Sequence, residues 1–502
     1  MHPVEQVHTM RKIVIDGSNT CGFQRTALVA MGGSLPGGAR IETICLEEDA
    51  AQRVTDQVFS LDRLGIPLVE ITTGPDLRTP EEVQEVAEYI GMVLRSTGKV
   101  KRGKGTIRQD INISIPEGAR VEIKGVQELD LIAEVVRREM ERQVNLISIR
   151  DALNDRGACV EESPIDVTSL FKGTRSSILK KAGVVLAIRL KGFSGLVGRE
   201  IQPGRRLGSE LADYAKRCGV GGIFHTDELP AYGITAEEVR SLREKLGALE
   251  NDAIILVAGT RDEARCAAKQ VIRRAGMALE GVPEETRGML EEGSTAYMRP
   301  LPGAARMYPE TDIFPVTVEK TFWEGIPIPE LLTGKAKRFE QELGLDPAAA
   351  YQAATSENLP AFEAAIREGV KPTLAFRVVI TTPVELARKG VDVGKIGEAD
   401  YLAILSAIET GRAAKEAVPD ILGATASGMT TDQAIAALGS SVTSDELTRI
   451  IRRIIDERKE FVAEKGVGAF GPLMGLVMQE VRGKVDGKLV SEALRRELER
   501  SA

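Results

Sequence analysis

The sequence predicts a multidomain α+β protein, in which an antiparallel-sheet domain carries an inserted α/β domain and precedes an all-α helical region and tail. Period-two alternation with a Pro/Gly break, typical of a β-hairpin, occurs in the first domain. Strand-like and helix-like segments then interleave, and from about residue 330 helical patterns continue to the end. A chain of 502 residues has room for about three or four domains.

These changes in pattern set the predicted domain limits. The first domain covers 1–164 and is completed by a return segment at 286–330. An α/β domain at 165–285 is inserted between those two parts, and a helical domain at 331–425 and a tail domain at 426–502 follow.

The composition is that of a globular protein, with 43% hydrophobic and 28% charged residues. No run of about 18 apolar residues occurs, and the start at Met1–Gln6 lacks the basic and apolar regions of a signal peptide. We therefore expect a cytoplasmic protein without a membrane span. The formal net charge of −8 argues against a general nucleic-acid coat, although an RNA partner could still dock on local basic patches.

Cysteine and histidine usage limits the chemistry. The five cysteines, which form no CxxC motif, are Cys21, Cys45, Cys159, Cys218 and Cys266. Their wide spacing predicts ordinary buried thiols in a reducing cytosol, with neither a zinc site nor a disulfide framework. Only three histidines are present, which argues against His-based metal or triad chemistry.

The elements of the first domain follow in chain order. The predicted elements are strands at 11–16, 41–49 and 67–72, a helix that starts at Thr79 and ends at Gly98, and a helix at about 128–143. Thr79 is a suitable start because its hydroxyl caps a helix, Pro80 suits the first helical position and Glu82 completes a capping box. The inserted domain is predicted from strands at 184–190, 220–225 and 254–258 and helices at 207–217, 236–247 and 261–275.

Two glycine-rich stretches imitate nucleotide-binding motifs. The run Gly98–Lys104 fits the start of a P-loop, but Gly105 stands where the motif needs Ser or Thr, and a helix precedes the loop. The run Gly466–Gly471 matches GxGxxG but follows a predicted helix instead of a strand. We exclude both as nucleotide-binding sites.

The stretch Ile107–Val126 predicts a hairpin with one apolar and one polar face, turning at Pro116–Ala119. A tight turn predicts the cross-strand pairs Asp110 with Lys124, Asn112 with Glu122, and Ser114 with Arg120. One interpretation is a solvated mixed-charge face. The other is a site that handles a metal and anionic substrate oxygens.

Several blocks of sequence resemble one family, and they occur in the family's order. The blocks are Leu46–Ala50, Gly65–Ile71, Gly74–Pro80, Arg108–Ser114, Val121–Lys124, Tyr297–Arg299 and Tyr308–Asp312. They resemble the family formed by the B and E subunits of tRNA-dependent amidotransferases, which convert Glu-tRNA(Gln) to Gln-tRNA(Gln). Gly471–Gly475 and Gly483–Lys488 are similar to the YqeY-type tail of that family.

The resemblance implies a fold and a branch of the family. It implies that the antiparallel part is a catalytic cradle domain. The insertion at 165–285 resembles a domain that is also found in bacterial aspartyl-tRNA synthetases. This insertion favours the archaeal branch of the family, which consists of the E subunits. Members normally begin with a further segment containing Gly-Leu-Glu-Ile-His, whose Glu and His belong to the metal site. This chain starts at Met1-His2-Pro3, and we expect its own activity to depend on that segment.

The resemblance also implies a reaction, cofactors and partners. The γ-carboxylate of tRNA-bound glutamate would attack ATP to give a γ-phosphoryl intermediate, and ammonia would then displace phosphate. Mg²⁺ would assist, and the asparaginase-like D subunit of the amidotransferase would deliver the ammonia within a hetero-oligomer.

Site residues carry over by motif. Glu48 and Glu70 would bind the metal, or else be a surface glutamate and a structural strand glutamate. The residues that would line the same cavity are Asp110 and Glu122, for a second metal or the incoming ammonium, and Arg108 and Lys124, for phosphate charge. In the tail, the candidate tRNA-binding cations are Arg482, Lys484 and Lys488, which could equally be solvated helix charges.

Two other functions stay open on the sequence. One is a non-catalytic tRNA-binding or scaffold protein within the complex. The other is the B subunit of a bacterial-type amidotransferase acting on Asp-tRNA or Glu-tRNA, which the inserted α/β domain disfavours.

Overall fold

A computed structural model of the chain describes residues 1–14, 19–55, 57–101, 103, 105–301, 307–438, 444–481 and 487–501. The strands are β1 His2–Pro3, β2 Gln6–Val7, β3 Thr9–Ile13, β4 Phe23–Ser34, β5 Arg40–Glu48, β6 Gln52–Arg53, β7 Phe59–Ser60, β8 Pro67–Thr73, β9 Gln109–Ile113, β10 Val121–Val126, β11 Cys159–Val160, β12 Ile165–Asp166, β13 Val184–Lys191, β14 Glu200–Gln202, β15 Arg205–Arg206, β16 Phe224–His225, β17 Ala253–Gly259, β18 Glu285–Met289, β19 Thr295–Pro300, β20 Met307–Pro309 and β21 Val316–Thr317.

The helices are α1 Pro80–Ser96, α2 Ile132–Asp155, α3 Ser177–Lys181, α4 Leu207–Lys216, α5 Ala236–Leu246, α6 Arg261–Glu280, α7 Lys320–Glu324, α8 Leu332–Leu343, α9 Pro347–Thr355, α10 Leu359–Arg367, α11 Pro372–Ala375, α12 Thr382–Arg388, α13 Glu398–Glu409, α14 Val418–Ala426, α15 Thr431–Leu438, α16 Ser444–Glu457, α17 Lys459–Lys465, α18 Phe470–Val481 and α19 Gly487–Ser501. A π-helical turn at Phe376–Thr381 joins α11 to α12. The predicted mixture of antiparallel sheets and a helical C-terminal region is confirmed.

The described residues form two compact units, residues 1–94 with 98–327 and residues 95–97 with 328–502. The sheets lie in the first unit and helices fill the second. The finer domain limits, including the inserted status of 165–285, stay predictions. No helix in the described part of the chain combines the length and apolarity needed to cross a membrane.

The N-terminal sheet has the strand order β20-β3-β4-β5-β8, with β1 also paired to β4. Neighbouring strands in this order are antiparallel. The predicted strands at 41–49 and 67–72 are confirmed as β5 and β8, and β3 takes the described part of the strand predicted at 11–16. Residues 15 and 16 of that prediction lie outside the described residues.

The first predicted helix is confirmed as α1, with the capping box that the sequence predicts. The hydroxyl of Thr79 accepts from the Glu82 amide at 3.2 Å, and the Glu82 carboxylate accepts from the Thr79 amide at 3.2 Å. Gly98 follows with φ of +67°, a left-handed conformation that suits glycine at a helix end. Helices α1 and α17 precede the two glycine-rich stretches, which confirms that neither follows a strand.

The hairpin sheet has the order β19-β18-β10-β9, in which β18 runs parallel to β10. Its apolar face is buried, as the alternation predicts; the buried residues are Ile111, Ile113, Val121, Ile123 and Val126. The pair Asn112 with Glu122 is confirmed. A β-bulge between Ile123 and Val126 sets two residues of β10, Lys124 and Gly125, opposite Asp110 of β9. The register beyond this point is shifted by one residue.

The α/β sheet has the order β11-β13-β17-β16, with β12 paired to β13, and helices cover both faces. On one face Ile188 and Ile255 pack with residues of α4 and α6, and on the other Ala187 and Leu256 pack with residues of α5. The predicted strand at 220–225 is shorter than expected, since only Phe224–His225 pairs.

The cysteine prediction is wrong in two respects. Cys218, just after α4, and Cys266 in α6 form a disulfide although 48 residues separate them. Packing of α4 on α6 brings them together, which sequence spacing does not show. Cys21 and Cys159 are exposed instead of buried.

A buried ion network ties α2, α4 and α6 to β18. Its members, each with a side chain that is 0% exposed, are Glu139, Arg142, Glu210, Arg274, Glu285 and Arg287. Arg142 contacts Glu139 at 2.8 Å and Glu285 at 2.8 Å. The charges offset one another, so this part of the first unit is held by ionic contacts as well as by apolar packing.

The helical unit contains a separate core built from α16, α17, α18 and α19, in which Ile451, Val477 and Leu494 are 0% exposed. Helix α15 packs against α13 and α14. The boundary between this core and the packing of α13, α14 and α15 therefore lies between α15 and α16. That stretch includes residues outside the described part.

Candidate functional site

The strands β5 and β8 place two glutamates on one face of the N-terminal sheet. Cys45 pairs with Glu70, and Glu47 pairs with Leu68. Residues that pair directly point to the same side, and side chains alternate along a strand. Glu47 and Glu70 are therefore diagonal neighbours on one face.

Glu48 does not join this face, which corrects the prediction that it accompanies Glu70. It pairs with Pro67, three residues from Glu70, and therefore points to the opposite side of the sheet. There its carboxylate binds Arg25 Nη1 at 3.1 Å. The family motif contains adjacent acids, and strand alternation lets only one of them face Glu70. In this structure Glu47 is the acid that faces the same side as Glu70.

Two polar side chains from neighbouring strands approach Glu47. Lys12 Nζ lies 3.4 Å from Glu47 Oε1, and Gln24 Nε2 donates to Glu47 Oε2 at 3.3 Å. The side chain of Glu47 is 10% exposed. Sequence reasoning did not include Lys12, Gln24 or Glu47 among the site residues. The strand register places them on one face, because Lys12 pairs with Gln24 and Glu47 pairs with Thr26, two residues further along β4.

The hairpin sheet brings further charge to Glu70. Desolvation raises the pKa of Glu70, the negative charges of Glu47 and Asp110 raise it further, and Lys12 and Lys124 oppose the shift. Charged groups of the hairpin therefore influence the protonation of Glu70 on β8. A carboxyl whose pKa is raised by other acids marks a place where an added cation would be stabilising.

The predicted hairpin residues form a connected set. Lys124 Nζ lies 2.5 Å from Asp110 Oδ2 and 3.1 Å from Glu122 Oε1. Burial opposes the charged form of Lys124, but Asp110 and Glu122 outweigh it and raise the pKa of Lys124. Thr286 of β18 donates its hydroxyl hydrogen to Glu122 Oε2 at 2.9 Å.

We name this set the acid cluster; its residues are Glu47, Glu70, Asp110, Glu122, Lys12 and Lys124. Arg108 is exposed one residue before β9, and no described contact joins it to the cluster. Of the predicted tRNA-binding cations, Arg482 and Lys484 lie outside the described residues, and only the backbone of Lys488 is described, in α19.

The donor set suits Mg²⁺ with few protein ligands. Among the described residues, no group of three His, Cys, Asp or Glu side chains forms a ready-made metal centre. Mg²⁺ is usually held by one or two carboxylates together with substrate phosphates and water. The same-face pair Glu47 and Glu70 supplies two carboxylates with hard oxygen donors.

The opposite face carries a second charged group, centred on Glu310. Its side chain is 0% exposed and accepts from Arg11 Nε at 2.7 Å and Arg25 Nε at 2.8 Å. Arg11 and Arg25 hold the pKa of Glu310 at about 2, against an opposing effect of desolvation. Because this carboxylate is already paired with two guanidinium groups, it fastens β20 to β3 and β4 and is not available to a ligand.

A cavity of about 350 Å³ in the α/β layer shares no lining residue with the acid cluster. Its lining combines Glu200 and Glu228 with Arg206 and His225, so it presents no single charge. The amides of Leu207 and Gly208 at the start of α4 already donate to backbone carbonyls at 3.1 and 2.8 Å. It has the features of neither a phosphate nor a metal site.

Comparison with known proteins identifies the family to which this fold belongs. A family model described as "GatB/GatE catalytic domain" matches residues 1–324, and one described as "GatB domain" matches residues 360–498. The chain belongs to the GatB/GatE family.

Related proteins share most of their length with this chain. It is 62% identical to the E subunit of the glutamyl-tRNA(Gln) amidotransferase of Methanospirillum hungatei, over 99% of this chain and 81% of the relative. It is 52% identical to the E subunit of Methanosarcina barkeri, over 99% and 82%. The E subunit of Archaeoglobus fulgidus is 51% identical, over 99% and 81%. The predicted family and its archaeal branch are thus confirmed.

Proposed function

We propose that this chain is the activating subunit of an archaeal tRNA-dependent amidotransferase, a ligase of protein biosynthesis that converts Glu-tRNA(Gln) to Gln-tRNA(Gln). The relatives, which are named as E subunits of a glutamyl-tRNA(Gln) amidotransferase, support the substrate. The observation that supports the proposal is the acid cluster, because carboxylates and lysines of two sheets act together on the pKa of Glu70, and Lys124 pairs with Asp110 and Glu122.

The proposed reaction has two balanced steps. An oxygen of the glutamyl γ-carboxylate attacks the γ-phosphorus of ATP, the bond from phosphorus to the ADP oxygen breaks, and an acyl phosphate forms. The lone pair of ammonia then attacks the acyl carbon, the bond from carbon to the phosphate oxygen breaks, and the nitrogen loses a proton to a base. The products are the amide, ADP and phosphate.

Phosphoryl transfer depends on positioning and charge neutralisation more than on covalent help. Glu47 and Glu70 would hold Mg²⁺, which when bound neutralises phosphate charge. Lys124 and Lys12 would balance negative charge at the transferred group. Asp110 and Glu122 both contact Lys124, and they would hold ammonium and take its proton.

The reaction needs a source of ammonia and a surface that binds the glutamyl-tRNA. We propose that an asparaginase-like D subunit supplies ammonia within a hetero-oligomer in the cytoplasm. The helical unit would contact the tRNA by shape and phosphate charge, since an RNA duplex offers little base readout.

The proposal is tested by amide formation in variants of the cluster. We expect Glu70→Ala and Asp110→Ala to abolish ATP-dependent Gln-tRNA formation by the full-length protein with its amidase partner, while tRNA binding survives. Near-normal turnover in either variant would remove the assignment of the site. ATP hydrolysis that rises on addition of Glu-tRNA(Gln) would separate an enzyme from a non-catalytic scaffold.

A further inference from the structure

Thr286 is buried beside Glu122 of the acid cluster. Its residue is 0% exposed, and β18 places it opposite Glu122 in the parallel pairing with β10. Partners in such a pairing share one face of the sheet. The hydroxyl of Thr286 therefore points to the same side as Glu122 and donates to its Oε2 at 2.9 Å.

The two oxygens of Glu122 have different partners. Oε2 accepts from Thr286, and Oε1 lies 3.1 Å from Lys124 Nζ. The Glu122 side chain is only 17% exposed, so its orientation depends mainly on these two protein contacts. Removing the hydroxyl would free one oxygen and allow the carboxylate to turn away from Lys124.

The strand that carries Thr286 is held from its other face. Glu285 and Arg287, the neighbours of Thr286 on β18, are 0% exposed and turn to the opposite side. Arg142 Nη2 binds Glu285 at 2.8 Å, and Arg287 Nη1 binds the same carboxylate. The ion network thus fixes the backbone from which the Thr286 hydroxyl reaches Glu122.

We propose that Thr286 is a positioning residue, which holds the Glu122 carboxylate against Lys124 and so keeps both groups in place for the amidation step. This inference rests on the proposed function, and it assigns Thr286 a role that it exerts through Glu122. A hydroxyl bound to a charged carboxylate is worth more than a bond between neutral groups, so its loss should be measurable.

The test compares Thr286→Val, which removes the hydroxyl at nearly constant shape, with Thr286→Ser, which keeps it. The assay measures Gln-tRNA formation by the protein and its amidase partner, and again with ammonium chloride as the nitrogen donor. We expect Thr286→Val to lower kcat on the order of tenfold with the KM for Glu-tRNA(Gln) nearly unchanged. Thr286→Ser should recover most of that loss.

Thr295→Val is the matched control. Thr295 is also 0% exposed and lies in the same sheet, but its hydroxyl accepts from Arg287 on the other face. We expect Thr295→Val to lower the unfolding temperature at least as much as Thr286→Val, and to leave kcat near the wild-type value. Equal losses of kcat in the two variants would indicate general weakening of the sheet and would overturn the proposal.

A crystal structure of Thr286→Val provides a readout independent of activity. We expect the Glu122 carboxylate to have left Lys124, whereas an unmoved carboxylate overturns the inference. A wild-type kcat in Thr286→Val would also overturn the positioning role of Thr286. In that case, a loss of activity in Glu122→Gln would show that the proposed site is still correct. Absence of any ATP-dependent Gln-tRNA formation by the wild-type protein would instead overturn the proposed function, and the positioning role with it.

Discussion

Replacing Arg142 with methionine should destabilise the first unit strongly. Arg142 is 0% exposed and contacts Glu139 at 2.8 Å, Glu210 at 2.5 Å and Glu285 at 2.8 Å. Methionine can fill much of the volume but leaves these buried carboxylates short of one positive charge. Breaking a buried ion pair by removing one partner costs about 3–5 kcal/mol, and we expect the loss in free energy of unfolding to fall in that range.

The pH dependence of this loss follows from Glu210. Burial alone would raise the pKa of Glu210, but Arg142, Arg287 and Arg274 outweigh it and hold the pKa well below 4.5. The folded-state pKa lies below the unfolded value, so the contribution of ionised Glu210 is present above about pH 4.5 and is lost as the pH falls through the folded pKa. The gap between wild type and Arg142→Met should therefore narrow on acidification.

Urea unfolding followed by circular dichroism measures the effect, with Arg137→Met as control. Arg137 lies on the same helix, is 49% exposed and contacts Glu81 and Glu134 on the surface. We expect the control to change the free energy of unfolding by less than about 1 kcal/mol. A similar small change for Arg142→Met, or a gap that widens at low pH, would refute this account of the network.

Three further predictions concern other parts of the molecule. Glu47→Gln should reduce Gln-tRNA formation at least tenfold more than Glu48→Gln, and the reverse ranking in a turnover assay would restore the assignment of Glu48. Glu310→Gln should lower the unfolding midpoint near neutral pH, and the difference from wild type should shrink as the pH falls from about 4.5 towards 2, because the folded pKa is lowered to about 2. Cys266→Ser should cost about 4 kcal/mol, given the 48-residue separation from Cys218, and calorimetry should show this difference only without reductant.

The hairpin shows what local patterns can predict. Alternation along β9 and β10 correctly predicts the buried set that includes Ile111 and Ile123, and it predicts the pair of Asn112 with Glu122. The irregularity before Val126 was not predicted, because one extra residue in a strand leaves the alternation on either side intact. Asp110 and Lys124 still meet, because Lys124 is one of the two residues that the irregularity sets opposite Asp110.

The choice between Glu47 and Glu48 shows where a motif is insufficient. Both acids belong to the block that resembles the family, and nothing in the block tells which one faces Glu70. That information lies in the pairing of β5 with β8, and this pairing depends on the whole sheet. The same reasoning explains why Lys12 and Gln24 were missed, since their neighbour Glu47 is distant in sequence.

Long-range contacts account for the remaining differences. Glu139 and Arg142 have the spacing of an exposed ion pair on a helix, yet both are 0% exposed because Glu210 and Glu285 arrive from distant elements. The Cys218–Cys266 disulfide depends on packing of two helices in the same way. Thr286 carries no local signal, and only its pairing with Glu122 identifies it.

The most direct measurement labels the γ-carboxylate of Glu-tRNA(Gln) with oxygen-18 and follows the label into inorganic phosphate. Wild-type protein with ATP and ammonia should release phosphate that contains one labelled oxygen, because the acyl phosphate passes a carboxylate oxygen to phosphorus. Glu70→Gln should bind the tRNA but release no labelled phosphate. Labelled phosphate at the wild-type rate from Glu70→Gln, or unlabelled phosphate from wild type during amide formation, would contradict the account.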